Sequence, residues 1–170
     1  MTTERELEPG ILETDAILVR AMQEKDLNAI VAIDAQASGR RRPSYFELML
    51  QRAIKQASLQ ISLVAELEGR VVGFLIGSVY YGEFGVVEPT ASVDAIGVDS
   101  RYRGHRVGRA MMRQLRNNLG ALRISTLRTE VDWDNFDLVA FFRSEGFSPA
   151  PRLCLETLVD PTSPPSAGDA

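Results

Sequence analysis

Apolar residues recur along the chain at two different spacings, which predict two kinds of element. A spacing of three or four residues is typical of a helix with one buried face. It predicts four helices: one capped by Asp26, one over residues 45–56, one from Val107 to Gly120, and one that is capped by Asp134 and ends at Gly146. Asp137 would then lie in the first turn of the last helix, where the positive end of the helix dipole favours a carboxylate.

Shorter apolar runs, bounded by polar or glycine-containing turns, predict six strands. These runs cover residues 17–22, 61–67, 71–81, 91–98, 124–131 and 153–158. The pair Glu68-Gly69 predicts a hairpin turn between the second and third strands. Because strands and helices do not alternate regularly, the order predicts an α/β domain with a mixed, mostly antiparallel central sheet flanked by helices.

Composition indicates one folded domain. The chain has 170 residues, of which 45% are hydrophobic and 25% charged. We expect a domain over residues 16–159 between loose tails at 1–15 and 160–170, the second rich in Pro and Ser. No apolar run is long enough for a membrane helix, the first residues lack the apolar core of a signal peptide, and Cys154 has no second cysteine to pair with. These features predict a cytoplasmic protein without membrane contact.

Positive charge is concentrated in one segment of an otherwise acidic chain. The net charge is -4, yet eight arginines and no carboxylate lie between Arg101 and Arg128. Such a stripe indicates an anionic ligand bound at one place. From Arg113 onward, a solvated helix face is the better explanation of the arginines. A second hypothesis is that the arginines bind nucleic acid, but the acidic remainder of the chain would repel a long polyanion.

The segment between the predicted strand 91–98 and the helix from Val107 has the composition of a phosphate site. Gly104 permits backbone angles that other residues avoid, and Gly108 permits close approach to the main chain. The start of a helix offers free N–H groups and a positive dipole end, to which Arg103, Arg106 and Arg109 add charge. This chemistry suits a pyrophosphate. Neither a P-loop motif nor a GxGxxG dinucleotide motif is present.

Two motifs in this part of the chain resemble the GCN5-related N-acetyltransferase (GNAT) superfamily. The family's cofactor motif, Arg/Gln-x-x-Gly-x-Gly/Ala, matches RGHRVG at residues 103–108, and its later signature matches Asn135, Phe141, Phe142, Gly146 and Phe147. The resemblance implies a sheet whose strands splay at the cofactor site, acetyl-CoA as the acyl donor, and no metal. It places the cofactor against Ile96, Gly97, Val98, Arg103, Gly104, His105, Arg106, Val107, Gly108, Arg109, Ala110, Asn135, Phe141 and Phe142.

Two positions depart from the family pattern. Arg106 stands where the family usually has glycine. Its Cβ would crowd the pyrophosphate unless the residue has helical angles that direct its guanidinium outward, and we expect binding to survive. Phe142 stands where many members have a tyrosine that protonates the departing thiolate. The second departure leaves open a catalytically weak module that binds acyl-CoA as a sensor.

The resemblance implies direct attack of an amine on the thioester carbonyl. That reaction needs a base, for which Asp94 and Glu130 are the first candidates and Glu83 the third. Taken singly, each of them is better explained as a surface or pairing carboxylate. The oxyanion would be bound by the main-chain N–H of Gly97 or Val98. The only histidine, His105, lies in the phosphate loop.

Aromatic and acidic residues suggest where the acceptor amine binds. The candidates are Tyr80, Tyr81, Glu83, Phe84 and Trp133, although strand packing explains the two tyrosines equally well. Acidic residues nearby favour a cationic small amine or a peptide amine. No His and Cys cluster has metal-ligand spacing, so we expect no metal. We also expect no nucleic-acid partner, and family resemblance suggests a homodimer.

Overall fold

A five-stranded sheet forms the centre of the computed structural model, which describes residues 16–82 and 85–159. Its strands are β1 Leu18–Ala21, β2 Leu63–Leu67, β3 Arg70–Tyr80, β4 Thr90–Val98 and β5 Thr126–Thr129, in that spatial order. The first four strands pair antiparallel, and β5 pairs parallel to β4. The predicted α/β class with a mixed, mostly antiparallel sheet is therefore confirmed. The predicted tails, Glu83 and Phe84 lie outside the described residues.

Four α-helices cover the two faces of the sheet. They are α1 Leu27–Ser38, α2 Pro43–Lys55, α3 Val107–Ala121 and α4 Phe136–Ser144. One core lies between the face that carries Val64 and Phe74 and the apolar sides of α1 and α2. The other lies between the face that carries Leu63 and Leu75 and the apolar side of α3. Successive residues of a strand point to opposite faces, so both faces of β2 and β3 are apolar and buried.

The beginnings of two helices differ from the sequence-based prediction. Asp26 precedes α1, but its carboxylate accepts no bond from that helix; it accepts from the main-chain N–H of Gln23 and from both terminal nitrogens of Arg20, each at 2.8 Å. A paired guanidinium is a stronger partner for a buried carboxylate than a helix N–H. Before α4, the cap is Asn135 and not Asp134, because the Asn135 side chain accepts from the N–H of Leu138 at 3.2 Å.

The prediction of a strand over residues 153–158 is wrong. Residues 152–159 have no regular secondary structure, and the side chains of Leu153 and Leu155 are 87% exposed. Alternating apolar residues form a strand only when a neighbouring strand supplies hydrogen-bond partners. Pro149 and Pro151, which precede this segment, carry no N–H for such pairing. β5 is also shorter than predicted.

No helix in the described ranges combines the length and the apolar character that crossing a membrane requires.

Candidate functional site

The parallel pairing of β4 with β5 covers only the first part of β4. The last pair joins Val93 to Thr129, and Thr129 Oγ1 donates to the main-chain oxygen of Val93 at 2.9 Å. Beyond this pair β4 continues to Val98, while β5 has ended. The two strands therefore separate, and no strand of residues 16–82 or 85–159 pairs with the end of β4 on the side that faces away from β3.

A β-bulge lies where the two strands separate. Ile76 of β3 pairs with Ala95, and the next residue, Gly77, pairs with Val93. Asp94 is therefore the extra residue on β4, without a partner in β3. A bulge bends its strand and increases the local twist, which helps to direct the rest of β4 away from β5.

The antiparallel ladder also sets the direction of the main-chain N–H groups at the end of β4. Asp99 N donates to the oxygen of Val72 at 2.9 Å, so these two residues form a hydrogen-bonded pair. Such pairs alternate with non-bonded pairs in an antiparallel ladder. The next pair, Val98 with Gly73, is therefore non-bonded, and the N–H of Val98 points away from β3. The N–H of Gly97, by contrast, points toward β3.

A cavity of about 870 Å³ adjoins the free edge of β4. Its walls come from the end of β4, the loop after it, the first turn of α3, one side of α1, and α4. The predicted donor-binding residues in its lining are Ile96, Gly97, Val98, Arg103, Gly104, Arg106, Val107, Gly108, Arg109, Asn135 and Phe141.

The loop between β4 and α3 begins with a stabilised turn. The Asp99 carboxylate accepts from the main-chain N–H of Arg101 at 3.0 Å and from its guanidinium at 2.8 and 3.1 Å. The guanidinium holds the pKa of Asp99 at about 2, although burial acts in the opposite direction. On the other side of the turn, Ser100 N donates to Gln36 Oε1 of α1 at 2.7 Å.

Two residues of the loop have left-handed backbone angles. Gly104 has φ 80°, and Arg106, the residue before α3, has φ 62° and ψ 15°. Arg106 therefore lacks the right-handed helical angles under which its side chain would avoid the pyrophosphate, and it occupies a conformation in which glycine is less strained. This conformation gives a physical reason for the glycine that the family motif places there.

The first turn of α3 presents main-chain donors to the cavity. The first backbone bond of the helix runs from Ala110 N to Arg106 O at 2.9 Å, and the Arg106 side chain makes no capping bond. Within the described part of the chain, the N–H groups of Val107, Gly108 and Arg109 have no acceptor. Together with the helix dipole and the arginines, these groups form a site for an anion.

Gly108 has a packing role that the sequence did not indicate. A Cβ at this position would lie 3.0 Å from the Phe141 ring of α4. The glycine thus allows α4 to approach the first turn of α3, in addition to exposing the main chain to the cavity.

Three of the predicted donor-binding residues do not line the cavity. Ala110 is buried in the core, and Phe142 is 4% exposed, with its ring centroid 5.3 Å from Phe141 and 5.0 Å from Phe147. His105 packs edge-on against Tyr102, and its Nδ1 is buried without a hydrogen-bond partner.

Those candidate bases and acceptor residues that the structure describes lie outside the cavity lining. Asp94 and Glu130 are exposed, and Asp94 accepts a short hydrogen bond from Ser78 Oγ. Tyr80 lies under the Arg128 guanidinium at 5.4 Å, whereas Tyr81 and Trp133 are 71% and 93% exposed. Glu83 and Phe84 are not among the described residues.

Sequence reasoning missed the contribution of α1 and of the end of α4. The additional lining residues are Ile33, Asp34, Gln36, Ala37, Phe74, Tyr102, Asp137, Leu138, Ser144 and Glu145. The α1 residues had no motif to indicate them. The sequence showed only that α1 is amphipathic, with polar residues opposite its apolar side.

Solved structures share this fold. Ard1 from Thermoplasma volcanium is 23% identical, with a TM-score of 0.65 over 78% of this chain and 83% of Ard1. The aminoglycoside antibiotic 6'-N-acetyltransferase AAC(6')-Ih from Acinetobacter baumannii is 15% identical, with a TM-score of 0.67 over 85% of this chain and 99% of that protein. The aminoglycoside N-acetyltransferase AAC(6')-Iy, in a complex with CoA, is 14% identical, with a TM-score of 0.63 over 84% of this chain and 94% of its own.

No curated protein matches the chain significantly. The model of the Acetyltransferase (GNAT) family, however, matches residues 27–147, which is more than half of the chain and includes α1 to α4. The matched range contains the separated strands, the arginine and glycine loop and the open start of α3. The chain therefore belongs to the GNAT family of acetyltransferases.

Proposed function

We propose that this protein is an N-acetyltransferase that moves the acetyl group of acetyl-CoA to an amine by direct attack. The observation that carries the proposal is the start of α3. The N–H groups of Val107, Gly108 and Arg109 have no acceptor among the residues that the structure describes, and the cavity beside them is also lined by Arg103 and Arg106. Main-chain donors, a helix dipole and arginines are the groups that bind a diphosphate. These residues therefore fit the diphosphate of CoA.

The unpaired edge of β4 is suited to the thioester end of the donor. An extended ligand can pair with a free strand edge, as peptides do in β-augmentation. Of the two candidates for the oxyanion donor, ladder alternation favours Val98 over Gly97, because only the Val98 N–H points to the free side of β4. A fixed N–H at that point would stabilise the charge that develops on the carbonyl oxygen.

In the proposed reaction, the amine nitrogen attacks the thioester carbonyl carbon and forms the amide bond. The C–S bond breaks, and CoA leaves as a thiolate. The nitrogen loses its proton to a base, for which we propose Asp94 or Glu130, either directly or through water. A thiolate is a better leaving group than an amine anion, so the step does not depend on an acid at position 142.

For the acceptor we propose a cationic small amine or a peptide amine. The support is charge: Asp94, Glu130, Asp132 and Asp134 are exposed carboxylates near the ends of the separating strands. Some relatives in fold are named as aminoglycoside N-acetyltransferases, and aminoglycosides are cationic amines. The acceptor panel should therefore contain aminoglycosides, polyamines and peptides with a free N-terminus.

Calorimetric titration with CoA and a thiol-release assay with acetyl-CoA test the proposal. We expect CoA to bind without added metal, and at least one amine of the panel to increase thiol release. Arg103→Glu should abolish CoA binding, because it places a carboxylate in the cavity lining. Arg113→Glu makes the same charge change on the exposed side of α3 and should leave binding nearly intact.

Absence of CoA binding in the parent protein would refute the proposal. CoA binding without thiol release across the whole panel would favour the alternative hypothesis, a catalytically weak module that binds acyl-CoA as a sensor. The phenylalanine at position 142 is the feature that supports this alternative. A salt-dependent complex with DNA or RNA, in a protein that does not bind CoA, would favour the nucleic-acid reading.

A further inference from the structure

Glu145, the residue after α4, connects this helix to α3 through a buried carboxylate. Its Oε1 accepts from Arg109 Nε at 3.1 Å and its Oε2 accepts from Arg116 Nη1 at 3.0 Å. Its main-chain oxygen also accepts a bond from Arg116 Nη2. The Glu145 side chain is only 5% exposed. The two arginines are seven residues apart on α3 and so lie on one side of that helix.

Arg109 stands in the first turn of α3. Both Arg109 and Glu145 line the cavity. The contact with Glu145 uses only Nε, and the two terminal nitrogens of Arg109 make no hydrogen bond within residues 16–82 and 85–159. An arginine that is anchored at Nε has lost much of its rotamer freedom before a ligand arrives. The ligand then meets two donors that are already ordered.

Arg116 offsets the negative charge of Glu145 beside the cavity. An unpaired carboxylate in the lining would repel a phosphate group. Arg116, which does not line the cavity, neutralises Glu145 from the other side. The charge of Arg109 therefore remains available to an anionic ligand.

We infer that Glu145 is a positioning residue that orients Arg109 toward the diphosphate of the acyl-CoA donor, with Arg116 as its neutralising partner. The inference rests on the proposed function, since it takes the diphosphate of CoA as the anion bound at α3. Nothing in the sequence indicated it, because Glu145 follows a helix and looks like an ordinary surface residue.

A double-mutant cycle with CoA as the titrant tests the inference on the full chain. Calorimetry gives the Kd of CoA for the parent, Glu145→Ala, Arg109→Ala and the double variant. Ordering one long side chain changes affinity by about fivefold, so Glu145→Ala should raise Kd by about that factor in the parent background. In the Arg109→Ala background the same substitution should change Kd by less than about twofold, because its effect passes through Arg109.

An equal loss in both backgrounds would overturn the inference, because Glu145 would then act only by holding α4 in place. Tighter binding in Glu145→Ala would also overturn it, since repulsion by the carboxylate would then outweigh orientation. Arg113→Ala, an exposed arginine of α3, is the control and should keep the parent Kd.

Thermal unfolding of each variant checks the fold. If Glu145→Ala does not fold, Glu145→Met takes its place in the cycle, because it keeps much of the volume and removes both acceptor oxygens. A parent that does not bind CoA overturns the proposed function together with this inference. A parent that binds CoA with no coupling between the two residues overturns the inference alone.

Discussion

Asp94 of β4 and Glu130, which follows β5, are the residues directly after Val93 and Thr129, the last pair of the parallel ladder. Asp94 is also the extra residue of the bulge opposite β3. The two carboxylates therefore flank the point at which the strands separate. This arrangement is the physical reason for testing them as bases at the mouth of the opening.

We expect Asp94→Asn and Glu130→Gln to lower turnover, with the larger loss in the variant that removes the base. A general base is worth about 10²–10⁴-fold, and less if water relays the proton. The loss should be greatest at acidic pH, where unprotonated amine is scarce. The measurement is the pH dependence of kcat/KM with an accepted amine. If both variants keep the parent profile, neither residue is the base.

Ser78→Ala tests whether the contact to Asp94 matters. Ser78 Oγ donates to the Asp94 carboxylate, so its removal leaves the carboxylate more mobile without removing it. A loss of kcat/KM that is smaller than the loss in Asp94→Asn would support a positioning role for this hydrogen bond, whereas an unchanged kcat/KM would show that the contact does not matter.

Two glycines of α3 make a matched pair for stability. A Cβ at Gly108 would lie 3.0 Å from the Phe141 ring, whereas a Cβ at Gly120 meets nothing within 4 Å. Gly108→Ala should therefore destabilise the fold and weaken CoA binding, because Phe141 must move. Gly120→Ala should stabilise the helix by about 0.5–1 kcal/mol and leave binding unchanged. Urea unfolding and CoA titration measure both, and equal stability changes would contradict the packing role of Gly108.

Arg106 and Arg123 form a second matched pair, because both have left-handed backbone angles, with φ 62° and 58°. A non-glycine residue in this region costs about 1–2 kcal/mol, which a glycine avoids at some cost in chain entropy. Both Arg106→Gly and Arg123→Gly should therefore raise the unfolding midpoint slightly. Only Arg106→Gly should weaken CoA binding, since only Arg106 lines the cavity. Unchanged binding in Arg106→Gly would show that this arginine does not contact the ligand.

The sequence allowed the fold class and the position of the loop between β4 and α3 to be predicted, because both depend on local signals. The period of apolar residues indicated α1, α2 and α3, a polar cap and a terminal glycine indicated α4, and RGHRVG indicated the loop before α3. The α1 wall was missed, because Gln36 contacts Ser100 only after α1 packs beside the loop. The predicted last strand failed for a related reason: the pattern at residues 153–158 was present, but no pairing partner was. Contacts between distant segments were the part that could not be predicted.

Asp99 gives a prediction on the pH dependence of stability. Its pKa in the folded protein is about 2, below the ordinary 3.8, because its carboxylate binds Arg101. The carboxylate therefore stabilises the fold above about pH 4, and this contribution is lost as the pH falls from there toward 2. Asp99→Asn should cost about 1–2 kcal/mol at neutral pH and progressively less below pH 4. Urea unfolding at several pH values measures the difference in unfolding free energy between the parent and Asp99→Asn. A difference that stays constant down to pH 3 would contradict the lowered pKa of Asp99 as its cause.

Phe142→Tyr tests whether the chain lacks an acid that it would otherwise use. The family resemblance places a tyrosine hydroxyl near the departing sulfur, yet the Phe142 ring is 4% exposed and packs against Phe141 and Phe147. A hydroxyl added within this aromatic cluster lacks a hydrogen-bond partner and should cost about 1–3 kcal/mol. We therefore expect a lower unfolding midpoint and no gain in turnover.

Phe141→Tyr is the matched control, because Phe141 lines the cavity and a hydroxyl on its ring can reach solvent or ligand. Its cost in stability should be smaller than that of Phe142→Tyr. Urea unfolding and kcat with an accepted amine compare the two variants. A Phe142→Tyr protein with parental stability and several-fold higher kcat would show that the ring edge reaches the sulfur. In that case the parent lacks a general acid at position 142, and its reaction proceeds because CoA can leave as an unprotonated thiolate.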